Sequence, residues 1–319
     1  MSDKIYRGQE ENEPSALVFV FRDAPSQNLK AIAEAARRKY APRAIVHGNN
    51  YERLEGVECS QSSFEEIRKA AGREFCDVFL VPEKFPFSGI EALFFDMDST
   101  LVSTETLDEM AAIHGLGAQC AQITKDVMEG RIKDYPASLR ARVALLKGLS
   151  ASSIEKVWAD MRPNPGVQEW IRFCSAHGKK TYVVSSGFTV LAGRMAEKLG
   201  MTGLHTNVIG IDGDTLTGRY TGEVSGMDGG PIMDGNGKAQ FVRDECARLG
   251  ISPRQALCAG DGSNDIAMID LAGVGVGFRP KAVLRPHCDV CIDFAGMDAL
   301  EAVFSDIAGR KAGPNPELC

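Results

Sequence analysis

The apolar run Ala92-Leu93-Phe94-Phe95 stops at two carboxylates, Asp96-Met97-Asp98, followed by Ser99-Thr100-Leu101-Val102. Consecutive apolar residues with no polar alternation read as a buried strand, the habit of parallel sheets with both faces covered. A strand ending at Asp96 puts that carboxylate at its C-terminal tip, the edge at which open parallel sheets take their ligands. Asp98 lies just beyond and can share a ligand with Asp96 in a different role. Adjacent anions repel, so keeping both ionised calls for a cation. The structural alternative is a turn in which Asp98 and Ser99 cap the next helix, and the rest of the chain must decide between the two.

The remainder of the sequence narrows the class. At 319 residues the chain can hold two or three domains with their own cores. A formal net charge of −7 argues against a nucleic-acid surface and suits a cytoplasmic protein. The first residues, MSDKIYRGQEENEP, have no apolar core of a signal peptide, and no apolar run approaches membrane-spanning length. Nine scattered cysteines point to reduced buried thiols, and the Cys288-Asp289-Val290-Cys291 pair has no matching second pair to make a metal site. The five histidines lack ligand-like spacing, so histidine-based catalysis is not expected.

Along the chain, residues 1–14 read as a disordered tail. Residues 15–86 alternate strand, helix, hairpin, helix, strand: 16–21, 27–40, a hairpin over 44–57 turning at Gly48-Asn49-Asn50, 64–71 and 78–81. That βαββαβ order is ferredoxin-like, and it resembles small-molecule-sensing ACT domains. Pro82–Gly89 reads as a linker. From residue 87 to 319 the pattern is that of a doubly wound, Rossmann-like parallel sheet, with strands at 93–95, 181–184, 256–259, 273–276 and 290–292. A helical stretch at about 106–162 is too long for one crossover and reads as an inserted cap. Ile211–Val224 reads as a glycine-rich hairpin, and 225–237 as turns.

Three further segments suit one phosphate. Thr181–Val184 runs into Ser185-Ser186-Gly187-Phe188, a hydroxyl and backbone N–H groups at a helix start. Lys238, after the flexible Met233–Gly237, supplies a cation. The strand ending at Ala259 runs into Gly260-Asp261-Gly262-Ser263-Asn264-Asp265, where small residues let acids and an amide crowd together. Each piece alone has a bland reading as a cap, a solvated lysine or a turn; their joint occurrence at strand tips favours a site.

The set DxDST, SSG, Lys and GDGxND resembles the signature motifs of the haloacid dehalogenase superfamily in its phosphatase form, over roughly Ile90 to Phe294. Within it the likeness is to the phosphoserine phosphatase family: Glu105 stands at the substrate-sensing glutamate, and Met128-Glu129-Gly130 with Ser138-Leu139-Arg140-Ala141-Arg142-Val143 resembles the cap sequence whose second arginine, Arg142, grips the substrate carboxylate. The resemblance implies Mg²⁺-dependent hydrolysis of O-phospho-L-serine to serine and phosphate, the closing step of serine biosynthesis. Asp96 is the expected nucleophile and Asp98 the acid and base. Mg²⁺ is expected on an Asp96 oxygen, the Asp98 main-chain carbonyl and the Asp261 carboxylate. Ser185, Ser186, Lys238 and Asn264 are expected on the phosphoryl oxygens, with Asp265, Gly187 and Thr100 supporting from behind. Glu105 and Arg142 complement the ammonium and carboxylate of an amino acid.

The chain departs from that pattern at Ser186, where glycine is usual. Arg131–Tyr135 is one residue longer than usual, with Tyr135 for phenylalanine. These bear on the substrate, so phosphohomoserine is the nearest competing ester, and a regulatory protein with a dormant phosphatase domain is the rival from another class. The partner expected is a small phosphate ester, with neither nucleic acid nor membrane. The N-terminal domain leaves a homodimer and serine as a feedback ligand open.

Overall fold

The computed structural model describes residues 14–128, 135–224, 227–230 and 232–309. The expected tail over 1–14, save Pro14, lies outside these, as do Glu129, Gly130 and the Arg131–Asp134 part of the longer segment. By contact density the chain forms two compact units. Of the described residues, one holds those up to Ile90, Pro165–Trp170 and those from Asp289 on; the other holds those within Glu91–Asn164 and Ile171–Cys288.

The first unit is built on β1 (Ser15–Phe21), α1 (Gln27–Tyr40), β2 (Ala44–His47), β3 (Tyr51–Val57), α2 (Gln61–Gly72) and β4 (Cys76–Pro82). Its antiparallel sheet has the order β2-β3-β1-β4, the ferredoxin-like arrangement of a βαββαβ chain. β1 is central and apolar along almost its whole length, so its residues are buried while the edge strand β2 is largely exposed. Leu17, Phe19, Leu54 and Val78 meet Leu29 and Ala36 of α1 in the core. Ser26 starts α1 by accepting the Leu29 N–H at 3.1 Å. Arg53 is fully buried and donates to the carbonyls of Ala302, Val303, Pro82 and Glu83, at 2.8 Å to Val303 and 2.7 Å to Glu83. Asp77 accepts the N–H groups of Asp293, Phe294 and Ala295. The last described residues therefore belong to the same folding unit as the first.

The second unit runs β5 (Ala92–Phe95), α3 (Thr106–Ile113), α4 (Gly117–Met128), α5 (Tyr135–Leu145), α6 (Ser152–Asp160), the part of α7 (Val167–Ala176) from Ile171 on, β6 (Lys180–Phe188), α8 (Thr189–Leu199), β7 (Gly203–Asp212), β8 (Thr215–Val224), β9 (Met227–Gly230), α9 (Gly235–Leu249), β10 (Ala256–Gly260), α10 (Ile266–Leu271) and β11 (Val274–Phe278). The sheet order within the unit is β11-β10-β5-β6-β7-β8-β9, parallel from β11 to β7 and antiparallel thereafter. β5 comes first in the chain yet sits between β10 and β6, so the sheet reverses direction of growth beside it. Crevices of this kind, at the carboxyl ends of the strands, receive ligands in doubly wound folds. Helices α3–α6 form the inserted cap between β5 and β6. Every residue of β5 is buried, and Phe94 stacks on Tyr182 with centroids 5.1 Å apart. Ala239, Val242 and Cys246 line one face of α9 and enter the same core.

Two elements differ from the sequence reading. The hairpin read at 211–224 is longer and turns at Gly213, its first arm being β7, which reaches back to Gly203 and joins the parallel sheet. The stretch read as turns over 225–237 holds β9 and the first residues of α9; Ser225, Gly226 and Pro231 lie outside the described residues. Among the described residues no helix is long and apolar enough to cross a membrane.

Candidate active site

β5 ends at Phe95, so Asp96 stands at its tip and is 4% exposed. Its Oδ1 accepts the Met97 N–H at 2.8 Å and lies 2.7 Å from Lys238 Nζ. The chain then turns sharply: Ser99 takes φ 59°, the left-handed region that a non-glycine residue enters only under local constraint. The turn delivers Asp98 to the start of α3, where Oδ2 accepts from Thr106 N at 3.0 Å and Thr106 Oγ1 at 2.8 Å. Asp98 Oδ1, also buried, has no hydrogen-bond partner among the described residues. Withdrawal from water and the neighbouring Glu105 carboxylate push the Asp98 carboxyl up to about 7, against the opposing pull of the Thr106 donors. Asp98 therefore stands at the start of α3 with one oxygen bonded there and the other without a partner among the described residues.

Lys238 lies in the first turn of α9, which already takes in Gly235–Gly237 of the stretch read as flexible. Asp234 caps that helix, its Oδ1 accepting the Gly237 N–H at 2.8 Å. The helix can begin there only because residue 235 is glycine, since a Cβ would come within 2.9 Å of Asn264 O. Lys238 is fully buried, with Nζ 2.7 Å from Asp265 Oδ1 as well as from Asp96. Burial alone would lower its pKa; Asp265 and Asp96 reverse that and raise it, so the lysine stays charged. Asp265 Oδ2 accepts from the N–H groups of Asp261 and Gly262, both at 3.1 Å. Gly260 makes room for it, because a Cβ there would sit 2.3 Å from Asp265 Cγ.

Oxygens of Asp96, Asp261 and Asp265 all lie within 4.8 Å of one another. Desolvation, then Asp265, raise Asp96 well above the usual carboxylate range, and desolvation also raises Asp261. A shared buried ammonium does not balance this crowding, and hard oxygen donors that converge with excess negative charge fit a hard cation. Asp265, read from sequence as a supporting group, has an oxygen in this cluster. The Asp98 side chain does not; it is committed to Thr106.

Ser185 and Ser186 lie within β6, which continues to Phe188, rather than at a helix start; α8 begins only at Thr189. The β6–β7 register shifts between Val184 and Phe188, so Ser185-Ser186-Gly187 bulge from the ladder. Ser185 Oγ accepts the Gly187 N–H at 2.9 Å, and a Cβ on Gly187 would lie 3.8 Å from Thr106 Oγ1, which brings this bulge beside Asp98. Ser186 Oγ is buried without a hydrogen-bond partner among the described residues. Asn264 lies in the short turn 263–265, its Oδ1 on the Gly262 side. Thr100 does not extend a side-chain bond to the site; its carbonyl accepts from Asn164 Nδ2 at 2.9 Å. Just ahead of α3, Glu105 Oε1 accepts from Ser99 Oγ at 2.8 Å, and Arg142 Nη1 of α5 lies 3.5 Å from Asp108 Oδ1.

Sequence reasoning passed over Thr106 and Lys281. Lys281 Nζ lies 2.9 Å from Asp261 Oδ2. Its signal was positional: it follows β11, the strand next to β10, and so arrives beside the tip that carries Asp261.

An open parallel sheet with acids from neighbouring strand tips gathered round a buried lysine at the switch point defines a Rossmann-like enzyme core of the acid-cluster type. Residues 93–270 match the family model of the haloacid dehalogenase-like hydrolases. A phosphoserine phosphatase of Albidiferax ferrireducens is 39% identical over 218 residues, covering 68% of this chain and 90% of that protein. A substrate-bound phosphoserine phosphatase complex superimposes with TM-score 0.61 at 32% identity, over 67% of this chain and 98% of the other. A haloacid dehalogenase family hydrolase of Salmonella enterica subsp. enterica serovar Typhi gives TM-score 0.78 at 25% identity, over 92% and 98%. The chain belongs to the haloacid dehalogenase-like hydrolases.

Proposed function

We propose that the chain is a Mg²⁺-dependent phosphoserine phosphatase, cleaving O-phospho-L-serine to L-serine and phosphate. The observation that carries this reading is the convergence of Asp96, Asp261 and Asp265 on one spot with Lys238 buried among them, and Asp98 beside it with one oxygen free. The likeness to phosphoserine phosphatases supports phosphoserine as the ester.

Asp96 Oδ1 is held by Met97 N–H and Lys238, so attack on phosphorus falls to its other oxygen, giving an aspartyl-phosphate and releasing the serine alkoxide. Asp98, whose pKa of about 7 keeps a proton available near neutrality, protonates that alkoxide from Oδ1 while Thr106 fixes Oδ2. The same carboxylate then takes a proton from the water that hydrolyses the acyl phosphate. Lys238 neutralises phosphoryl oxygens together with Ser185, the N–H groups of the 185–187 bulge and Asn264, and Asp265 fixes its ammonium. Asp96, Asp261 and the Asp98 carbonyl would hold Mg²⁺, which when bound offsets the charge of the transferring group. Glu105 and Arg142 receive the amino and carboxylate groups of serine.

In this reading residues 15–86 contribute an ACT-like domain and the phosphatase core follows from residue 87 with its cap at 106–162, in a cytoplasmic enzyme; a homodimer contact and serine as a regulatory ligand are roles open to the N-terminal domain. The test is phosphate release, with and without Mg²⁺, from O-phospho-L-serine, O-phospho-L-homoserine, O-phospho-L-threonine and a sugar phosphate. The reading expects phosphoserine to give the highest kcat/KM. A higher value for phosphohomoserine would move the substrate, and release of no phosphate from any ester would remove the enzyme reading.

A further inference from the structure

A second lysine stands at the acid cluster, against Asp261 rather than between Asp96 and Asp265. The main chain of Lys281 donates to Asp261 O at 2.8 Å, and its Nζ lies 2.9 Å from Asp261 Oδ2. Its side chain is 62% exposed, whereas that of Asp261 is 8% exposed, so the ammonium reaches from solvent onto a buried acid. Glu105 and Asp265 also act on its charge. Lys238, by contrast, is locked between two carboxylates out of contact with water. One lysine is a fixed charge of the site and the other can leave it.

We infer that Lys281 is a positioning residue that sets how tightly Asp261 takes a divalent cation: its ammonium holds the carboxylate in place and competes with the ion for it. The inference rests on the acid cluster being a divalent-cation site. Two effects oppose each other when Lys281 is lost. Freeing the Asp261 side chain weakens binding by a few-fold, roughly the ordering cost of one side chain. Removing a positive charge from the immediate surroundings of a doubly charged ion strengthens binding by more, because the repulsion is twice that between single charges and acts at short range. Tighter binding is the net result.

The experiment is a calorimetric titration of Mg²⁺ into the full chain as wild type, Lys281→Met and Lys281→Arg. The methionine variant is expected to bind Mg²⁺ about tenfold tighter, and the arginine variant, which keeps the charge, to stay within about threefold of wild type. Because the side chain is mostly in solvent, both variants are expected to melt cooperatively in chelator, and a role confined to packing would leave the affinity unmoved. Unchanged or weaker Mg²⁺ binding by Lys281→Met overturns the inference while leaving the phosphatase reading standing. A wild-type chain that binds no Mg²⁺ overturns the cation site itself, and the inference with it.

Discussion

Asp96 and Asp98 lie two residues apart, yet their surroundings make them chemically unlike. Asp96 faces a buried ammonium and a main-chain donor; Asp98 has two donors on one oxygen and none among the described residues on the other. Burial raises both carboxylates, so contact is what separates them: Asp96 touches a buried ammonium that favours its charged form, and Asp98 keeps an oxygen from which a proton can pass. Neither environment is visible in the letters DxD, which give only the spacing. Arg142 lies against Asp108 of α3, the helix whose N-cap is Glu105. If it grips a carboxylate, Arg142→Ala should lower kcat/KM for phosphoserine by about 100-fold, the cost of about 3 kcal/mol of charge-assisted hydrogen bonding, and leave an aryl phosphate within a few-fold of wild type. Steady-state kinetics on both esters check this, and equal losses would remove the carboxylate clamp.

Among the elements, α9 matters most because its first turn carries Lys238 into the crevice. Asp234 supplies the cap, so Asp234→Ala should cost about 1 kcal/mol of stability and lower kcat as the ammonium loses its place. Chemical denaturation and initial rates measure the two separately, and a variant with wild-type values in both would show the cap to be idle. The start of this helix was illegible because Gly235 and Gly237 look like loop residues; the close approach to Asn264 that demands glycine at 235 exists only in the folded chain. β7 was hidden for a related reason. His205, Thr206 and Asn207 break its apolar pattern, yet Thr206 and Asn207 are fully buried, and Asn207 is satisfied by Ser186 O, Met233 O and Met233 N–H. By contrast β1, β5, β10 and the βαββαβ order were legible, since unbroken apolar runs and turn residues mark them locally. Asp96, Asp261, Asp265 and Lys238 were legible as a group through motif spacing, whereas Thr106 and Lys281 act through tertiary neighbours.

Across the whole molecule, the residues that complete the first unit come from distant parts of the sequence. Arg53 bonds carbonyls at 302 and 303, and Asp77 holds the N–H groups of 293–295. A boundary drawn at residue 86 therefore cuts through one folding unit, although every expected site residue lies after it. A chain trimmed to residues 87–319 should melt at lower temperature than the full chain and be cleaved faster by protease within 289–309. An unchanged melting temperature would mean that these bonds add nothing to the remainder. With Asp96 as the proposed nucleophile, Asp96 becomes phosphorylated during turnover. Acid quenching of the full chain with O-phospho-L-serine labelled in its phosphate tests it most directly. Label retained on the peptide containing Asp96, and absent from Asp96→Asn, is the result expected; phosphate release from Asp96→Asn at the wild-type rate, with no labelled protein in either, would contradict it.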